Sequence, residues 1–240
     1  VGLFDLGIHT AVGWDEAWAN ARVHAVGLVH VQDAFVQGLR SFAREGSDYH
    51  LQNGGILVSR SKRVTIADCR LERPQNRGGG GCGYLYEILQ SNEVLTRDCV
   101  AVAGRHNFIQ NWDFGTSGCV FLRCHSAGGV VMSGPDDSSP QPGTCEYHHS
   151  LAMANLVDSC MIEDGWFGGN RQTMSTGAGH TNTESVYWNL TGGGLISSMA
   201  FGWGYIVGAN DITVRTSVEL PEGQGTAPED WVESNPGRLV

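Results

Sequence analysis

Five short β-prone segments recur along this chain, and each closes on Cys or Asn: Val64-Thr-Ile-Ala-Asp-Cys69, Val94-Leu-Thr-Arg-Asp-Cys99, Val120-Phe-Leu-Arg-Cys124, Leu156-Val-Asp-Ser-Cys160 and Ser185-Val-Tyr-Trp-Asn189. The closing residues lie 30, 25, 36 and 29 positions apart. A polar turn precedes several of them, as in Ser61-Lys62-Arg63, and a second short strand follows, as in Cys99-Val-Ala-Val. A unit of two or three very short strands cannot bury its own apolar face. Units stacked on one another can, and like residues then form columns along the inside. Leucine-rich repeats are excluded because no LxxLxL ladder is present, and propeller blades would need four longer strands each. The pattern predicts an all-β chain folded as a single-stranded right-handed parallel β-helix, a solenoid with irregular rungs of about 25–36 residues. Residues 1–216 form it, and residues 217–240 read as an irregular, truncated C-terminal part of the same domain. The Cys and Asn column is expected to stack inward at one corner.

Composition agrees with strands and turns. The 240 residues include 34 glycines, about twice the usual share, and only 17% are charged. Lys62 is the single lysine against 14 arginines, so long surface helices are not expected. A formal charge of −10 argues against a nucleic-acid or anionic-membrane partner, and any anionic ligand must be met by a local Arg cluster. The uncharged run from Ser185 to Asn210 holds Asn189, several hydroxyls and six glycines, and reads as strands and turns instead of a membrane span. Gly13-Trp14-Asp15-Glu16-Ala17-Trp18 reads as a loop, and Pro135–Gly143 as the clearest long loop. No initiator Met or signal peptide is visible, so the chain reads as part of something longer. Seven cysteines cannot all pair within one chain, and none shows zinc spacing. Buried thiols, no metal site and no cofactor are therefore expected; no EF-type calcium motif is present.

Gly13–Trp18, Gly104-Arg105-His106-Asn107-Phe108, Gly179-His180-Thr181, Val186-Tyr187-Trp188-Asn189 and Gly202-Trp203-Gly204-Tyr205-Ile206-Val207-Gly208 together resemble the pectin-lyase-like superfamily of right-handed β-helices. They are similar in particular to bacterial secreted members of possible polysaccharide-degrading role. The resemblance implies a secreted or cell-surface protein with a polysaccharide partner.

Five of the nine histidines fall between residues 106 and 180, where Arg105, His125, His148, Glu163, Asp164 and Arg171 also lie. Eliminative cleavage of a uronate-containing glycan needs a cation at the carboxylate, a base for the C5 proton and an acid for the leaving oxygen. Arg105, His106, His149, Arg171 and His180 are the catalytic candidates, and Trp14, Trp18, Asn107, Trp112 and Asn170 the substrate-binding ones. Alternation is expected to put Arg105 and Asn107 on one face and His106 on the other. Of His148 and His149, only one should face outward, and His149 is preferred. The isolated Lys62 argues against a lysine base. Two alternatives stand beside the lyase. Asn111-Trp112-Asp113, Asp136-Asp137 and Gly179-His180 resemble, with departures, the segments of polygalacturonase-type hydrolases. A non-catalytic adhesin or filament subunit is the other, since open strand edges allow end-to-end self-association; otherwise a monomer is expected.

Overall fold

The structure is a computed structural model that describes residues 1–112, 115–149, 151–171, 173–199, 204–216 and, as backbone, 231–234. Asp113, Gly202, Trp203 and most of the C-terminal segment lie outside the described residues.

In chain order the elements are β1 (Gly2–Phe4), β2 (Gly7–Ile8), α1 (Trp14–Ala19), β3 (His24–Val29), β4 (Gln32–Gln37), β5 (Arg40–Ser41), β6 (Gly54–Ser59), β7 (Lys62–Ala67), β8 (Arg70–Glu72) and β9 (Tyr84–Leu89). Then come β10 (Asn92–Arg97), β11 (Val100–Val102), β12 (His106–Asn111), β13 (Val120–Leu122), β14 (His125–Ala127), β15 (Val130–Val131), β16 (Gln141–Pro142) and β17 (Cys145–Tyr147). The rest are β18 (Leu156–Asp158), β19 (Met161–Ile162), β20 (Gly165–Gly169), α2 (Met174–Gly177), β21 (Val186–Trp188), β22 (Leu195–Met199), β23 (Tyr205–Ala209), β24 (Thr213–Arg215) and β25 (Trp231–Ser234).

The strands divide among separate parallel sheets of nine, eight and six strands, with β15 and β16 forming an antiparallel pair. This arrangement corrects the expected single-stranded right-handed parallel β-helix: several parallel sheets are present, and not one solenoid. The physical reason lies in the corners. A repeated closing residue fixes the register of one strand with the next, but it does not say how the strands between corners are shared among sheets. Moreover, the six-stranded sheet ends at β19, and β21 and β23 then pair in the nine-stranded sheet with Val186 opposite Tyr205, an offset shorter than any interval in the sequence pattern.

The registers themselves follow the repeats. Val64 pairs with Val94, Leu95 with Val120, and Val120 with Leu156. Cys69, Cys99, Cys124 and Cys160 are all buried as free thiols, and the Cys124 amide donates to Cys160 Sγ at 3.3 Å. Asn189 does not join this column. It is half-buried in the left-handed region with φ 51°, like Asp68, Asp98, Arg123 and Ser159 before their cysteines, and Leu190 takes the inward place at 1% exposure. Asn and Asp tolerate this conformation better than most side chains, which explains their appearance at these corners.

Three smaller expectations also change. Residues 14–19 form a helix, held by buried amides: Asn53 and Asn76 both donate from Nδ2 to the Ala17 carbonyl at 3.1 Å. The long loop of residues 135–143 ends in β16, and β25 adds a strand to the nine-stranded sheet within the segment read as irregular. Inside the sheets an aromatic core joins neighbouring strands: Tyr86 stacks on Phe108 at 4.9 Å, and Trp166 meets Phe121 at 5.0 Å and Tyr147 at 5.4 Å.

Candidate functional site

The eight-stranded sheet carries the site. Its register aligns Leu57, Glu87, Ile109, Glu146, Phe167, Ser197 and Arg215 across seven neighbouring strands. One end of the same strands aligns His24, Gly54, Tyr84 and His106. Neighbouring strands lie about 4.8 Å apart, so the backbones of Glu87 and Glu146, two strands from each other, are about 10 Å apart.

Both carboxylates are buried, at 0% and 2% exposure, and a buried carboxylate requires paired charge and hydrogen bonds. Glu87 is met by His24 Nε2 at 2.7 Å, by Arg22 Nη2 at 3.4 Å and by the donating Nδ2 of Asn111 at 3.1 Å. Glu146 pairs with Arg171, and Oε2 lies 2.9 Å from His148 Nδ1 and 3.3 Å from His106 Nε2. The Nδ1–H of His106 donates to the Thr144 carbonyl at 2.6 Å, since a carbonyl only accepts. Nε2, facing Glu146, is therefore the nitrogen that can take a proton.

Burial, with Arg105 as the next cause, lowers the pKa of His106 to about 3; burial and Arg105 also lower that of His148 to about 4. Both rings are neutral at pH 7. Burial raises the Tyr84 phenol above its ordinary value, so it stays protonated. Its ring lies 5.2 Å from that of His106 and beneath the Arg105 guanidinium at 5.8 Å. Arg105 donates to the Gly78 carbonyl at 2.8 Å, and among the described residues no carboxylate lies within ion-pair distance of it. A cleft of about 270 Å³ opens beside His106, lined among others by Glu146, Phe167, Arg171 and Ser197; Arg105 and Tyr84 are not among its lining residues.

Of the five catalytic candidates, Arg105, His106 and Arg171 come together. His149 is adjacent: it stacks on Trp112 at 4.9 Å, and Asn111 Oδ1 lies 3.1 Å from its Nδ1. His180 bridges to Asn170, and the Arg171 amide donates to the Gly179 carbonyl at 2.8 Å, so the His180 segment braces the Arg171 backbone. His148, not favoured in the sequence, makes the closer approach to Glu146. Asn107 shares no face with Arg105. It points inward, donating from Nδ2 to Ser126 Oγ at 3.0 Å and Asp164 Oδ2 at 2.9 Å, while its Oδ1 accepts from the Gly104 amide. The alternation fails because Leu85 and Tyr86, and likewise Asn107 and Phe108, are consecutive buried residues where the strands leave the corner. Trp112 is sandwiched between His149 and the Arg22 guanidinium, 5.6 Å from its ring. Trp14 and Trp18 lie on α1, 5.9 Å apart.

Several residues were missed: Tyr84, Glu87, Glu146, His24 and Arg22. Glu146 lies on β17 and His148 directly follows that strand's end, and an i, i+2 spacing in extended chain puts the two on one side. His125 pairs instead with Glu163 at 2.7 Å, on the six-stranded sheet. Asp137 is half-buried and accepts from the Ser133 and Ser139 amides of its own loop, each at 2.8 Å. Among the described residues no group of three or more His, Cys, Asp or Glu side chains is placed to hold a metal ion. Comparison with protein-family models, curated proteins and solved structures finds no match to this chain.

Proposed function

We propose that the protein is a secreted or cell-surface polysaccharide lyase acting on an acidic, uronate-containing glycan, and that the Arg105–His106–Tyr84 group does the chemistry. What carries the reading is a half-buried Arg with no carboxylate partner among the described residues, beside a neutral imidazole and a protonated phenol. The Arg105 guanidinium takes the uronate carboxylate and so acidifies the C5–H bond. His106 Nε2 removes that proton, and the imidazolium formed is stabilised by Glu146 at 3.3 Å. The electrons of the C5–H bond become the C4–C5 double bond, the C4–O bond breaks, and Tyr84 protonates the departing oxygen. Arg105 also lowers His106 basicity in the empty site. A bound carboxylate offsets that charge, so His106 becomes a better base when substrate is present.

A second reading has its own observation. Glu87 and Glu146 are two buried carboxylates on one side of the sheet, about 10 Å apart at the backbone from strand spacing. Inverting glycoside hydrolases place two carboxyls roughly 6.5–9.5 Å apart with room for a water.

One experiment separates the two. The protein is incubated with a panel of uronate polysaccharides, following both the ultraviolet absorbance of the unsaturated product and new reducing ends. Lyase action raises both signals together, and His106→Gln abolishes them. Reducing ends without absorbance would replace elimination with hydrolysis, and silence on every polymer would refute both.

A further inference from the structure

We propose that Arg77, Tyr49 and Trp14 form a second binding subsite beside Arg105, which holds the carboxylate and sugar ring of a neighbouring uronate unit. This rests on the acidic-glycan reading above and extends it to the recognition of a chain longer than one residue.

The first observation is charge. Arg77 is half-buried, its Nε is buried without a hydrogen-bond partner, and among the described residues no carboxylate lies within ion-pair distance. Its guanidinium lies 5.9 Å from the centre of the Tyr49 ring. In a chain of net charge −10, counter-charge is plentiful, yet among the described residues none is placed on this cation. A partly desolvated guanidinium held beside the Tyr49 side chain, with no carboxylate partner among the described residues, is well suited to a planar carboxylate from a ligand.

The second observation is an aromatic platform. Trp14 lies 5.3 Å from Tyr49 and 5.9 Å from Trp18, and all three rings are half-buried. Trp14 and Trp18 occupy positions i and i+4 of α1 and so share one side of it. A helix of six residues is not stable alone, and the fold pins this one from both ends. Gln75 accepts from the Val12 amide at 2.9 Å and donates to the Val12 carbonyl at 2.8 Å, while Asn76 holds the Ala17 carbonyl. The platform is therefore built onto the segment that carries Arg77. Apolar ring faces beside one charged fork match a uronate, which offers one carboxylate and one stacking face per unit.

The third observation is continuity with Arg105. Gly83, at φ 76°, lies between the two arginines: a Cβ there would sit 2.8 Å from Arg105 Cβ and 3.0 Å from Arg77 Cα. Arg105 donates to the Gly78 carbonyl, one residue after Arg77. A glycan chain whose reacting carboxylate rests on Arg105 thus finds a second cation and a stacking surface next to it.

The test compares the wild type with Arg77→Gln and Trp14→Ala on polymeric uronate, on a short uronate oligosaccharide and on the same polymer with its carboxyls reduced. On the polymer, Arg77→Gln is expected to raise KM about tenfold while kcat falls less than twofold. In binding titrations the variant and wild type should then differ little on the carboxyl-reduced polymer, whereas Trp14→Ala weakens both. Should Arg77→Gln fail to fold, Arg77→Lys keeps the charge but loses the fork, and a KM increase of a few fold is expected. A wild type that cleaves the polymer with unchanged KM in the Arg77 variants overturns the subsite alone. A wild type that neither binds nor cleaves any uronate overturns the subsite and the functional reading together.

Discussion

Removing Arg171 tests the electrostatic core of the site independently of any substrate. Among the described residues its guanidinium is the one permanent cation on Glu146, whose side chain is 2% exposed. Arg171→Ala leaves that carboxylate buried with two imidazoles as its remaining partners, at 2.9 and 3.3 Å. Breaking a buried ion pair from one side typically costs about 3–5 kcal/mol. Arg171 is 19% exposed, so we expect the lower end, about 3 kcal/mol. For a domain of this size that corresponds to a melting-point drop of roughly 6–12 °C. Acid should relieve the loss. Arg171 is among the charges that hold His106 neutral, so without it His106 protonates more readily and supplies the missing cation. The penalty should therefore shrink as pH falls toward the lowered values of about 4 for His148 and about 3 for His106. Urea unfolding at pH 8 and pH 4 measures it, with Glu146→Gln added as the second arm of a double-mutant cycle. The double variant should regain most of the lost stability, because no buried charge is then left alone. Equal losses at both pH values, with no recovery in the double variant, would refute the reasoning.

Further outcomes follow from the same contacts. Because folding lowers the pKa of His106 to about 3 and of His148 to about 4, the unfolded chain binds protons that the folded one refuses. Stability is fully present above pH 6.5 and is lost as pH falls toward 4; His106→Gln should flatten the urea midpoint across that window. Asp164→Ala removes the acceptor of Ser126, Asn107 and the Gly165 amide, with a loss on the order of 3 kcal/mol in urea unfolding. Asn107 in turn accepts from Gly104, so the same variant should broaden the His106 imidazole resonances in NMR spectra. All seven cysteines are buried, and burial raises the Cys119 thiol to about 11 and pushes Cys124 and Cys145 up as well. A thiol reagent should label none of them in the native protein and all seven in urea.

How far the fold was legible depends on which signal each element leaves. The Cys69, Cys99, Cys124 and Cys160 column is readable because the inward place at a corner admits few residue types, so the interval between them is the strand register itself. Asn189 misleads because it occupies the left-handed corner residue, one position before the column, where Asp68 and Asp98 also sit. The division into several sheets leaves no such mark, since Arg40–Ser41 and Met161–Ile162 are only two residues long and carry no periodicity of their own. Helix α1 escaped because its support is remote: Asn53, Gln75 and Asn76 hold it, and none is near it in sequence.

The site was half legible for a related reason. Arg105, His106 and Arg171 stand out in a chain poor in charge, and the fold does bring them together. Glu87 and Glu146 do not stand out, because each lies in an apolar run, Tyr84–Leu89 and Cys145–Tyr147, that reads as core. That apolar setting is the point. A carboxylate at 0% or 2% exposure is tolerated only when a cation and further polar groups converge on it, so each buried Glu requires the Arg and His residues that distant strands supply. Glu146 explains why Arg171, His106 and His148 meet, and Glu87 why Arg22 and His24 do. Arg105 and Arg77 are the two half-buried cations that this arrangement leaves without a carboxylate among the described residues. The counter-charge they lack is what an acidic glycan would bring.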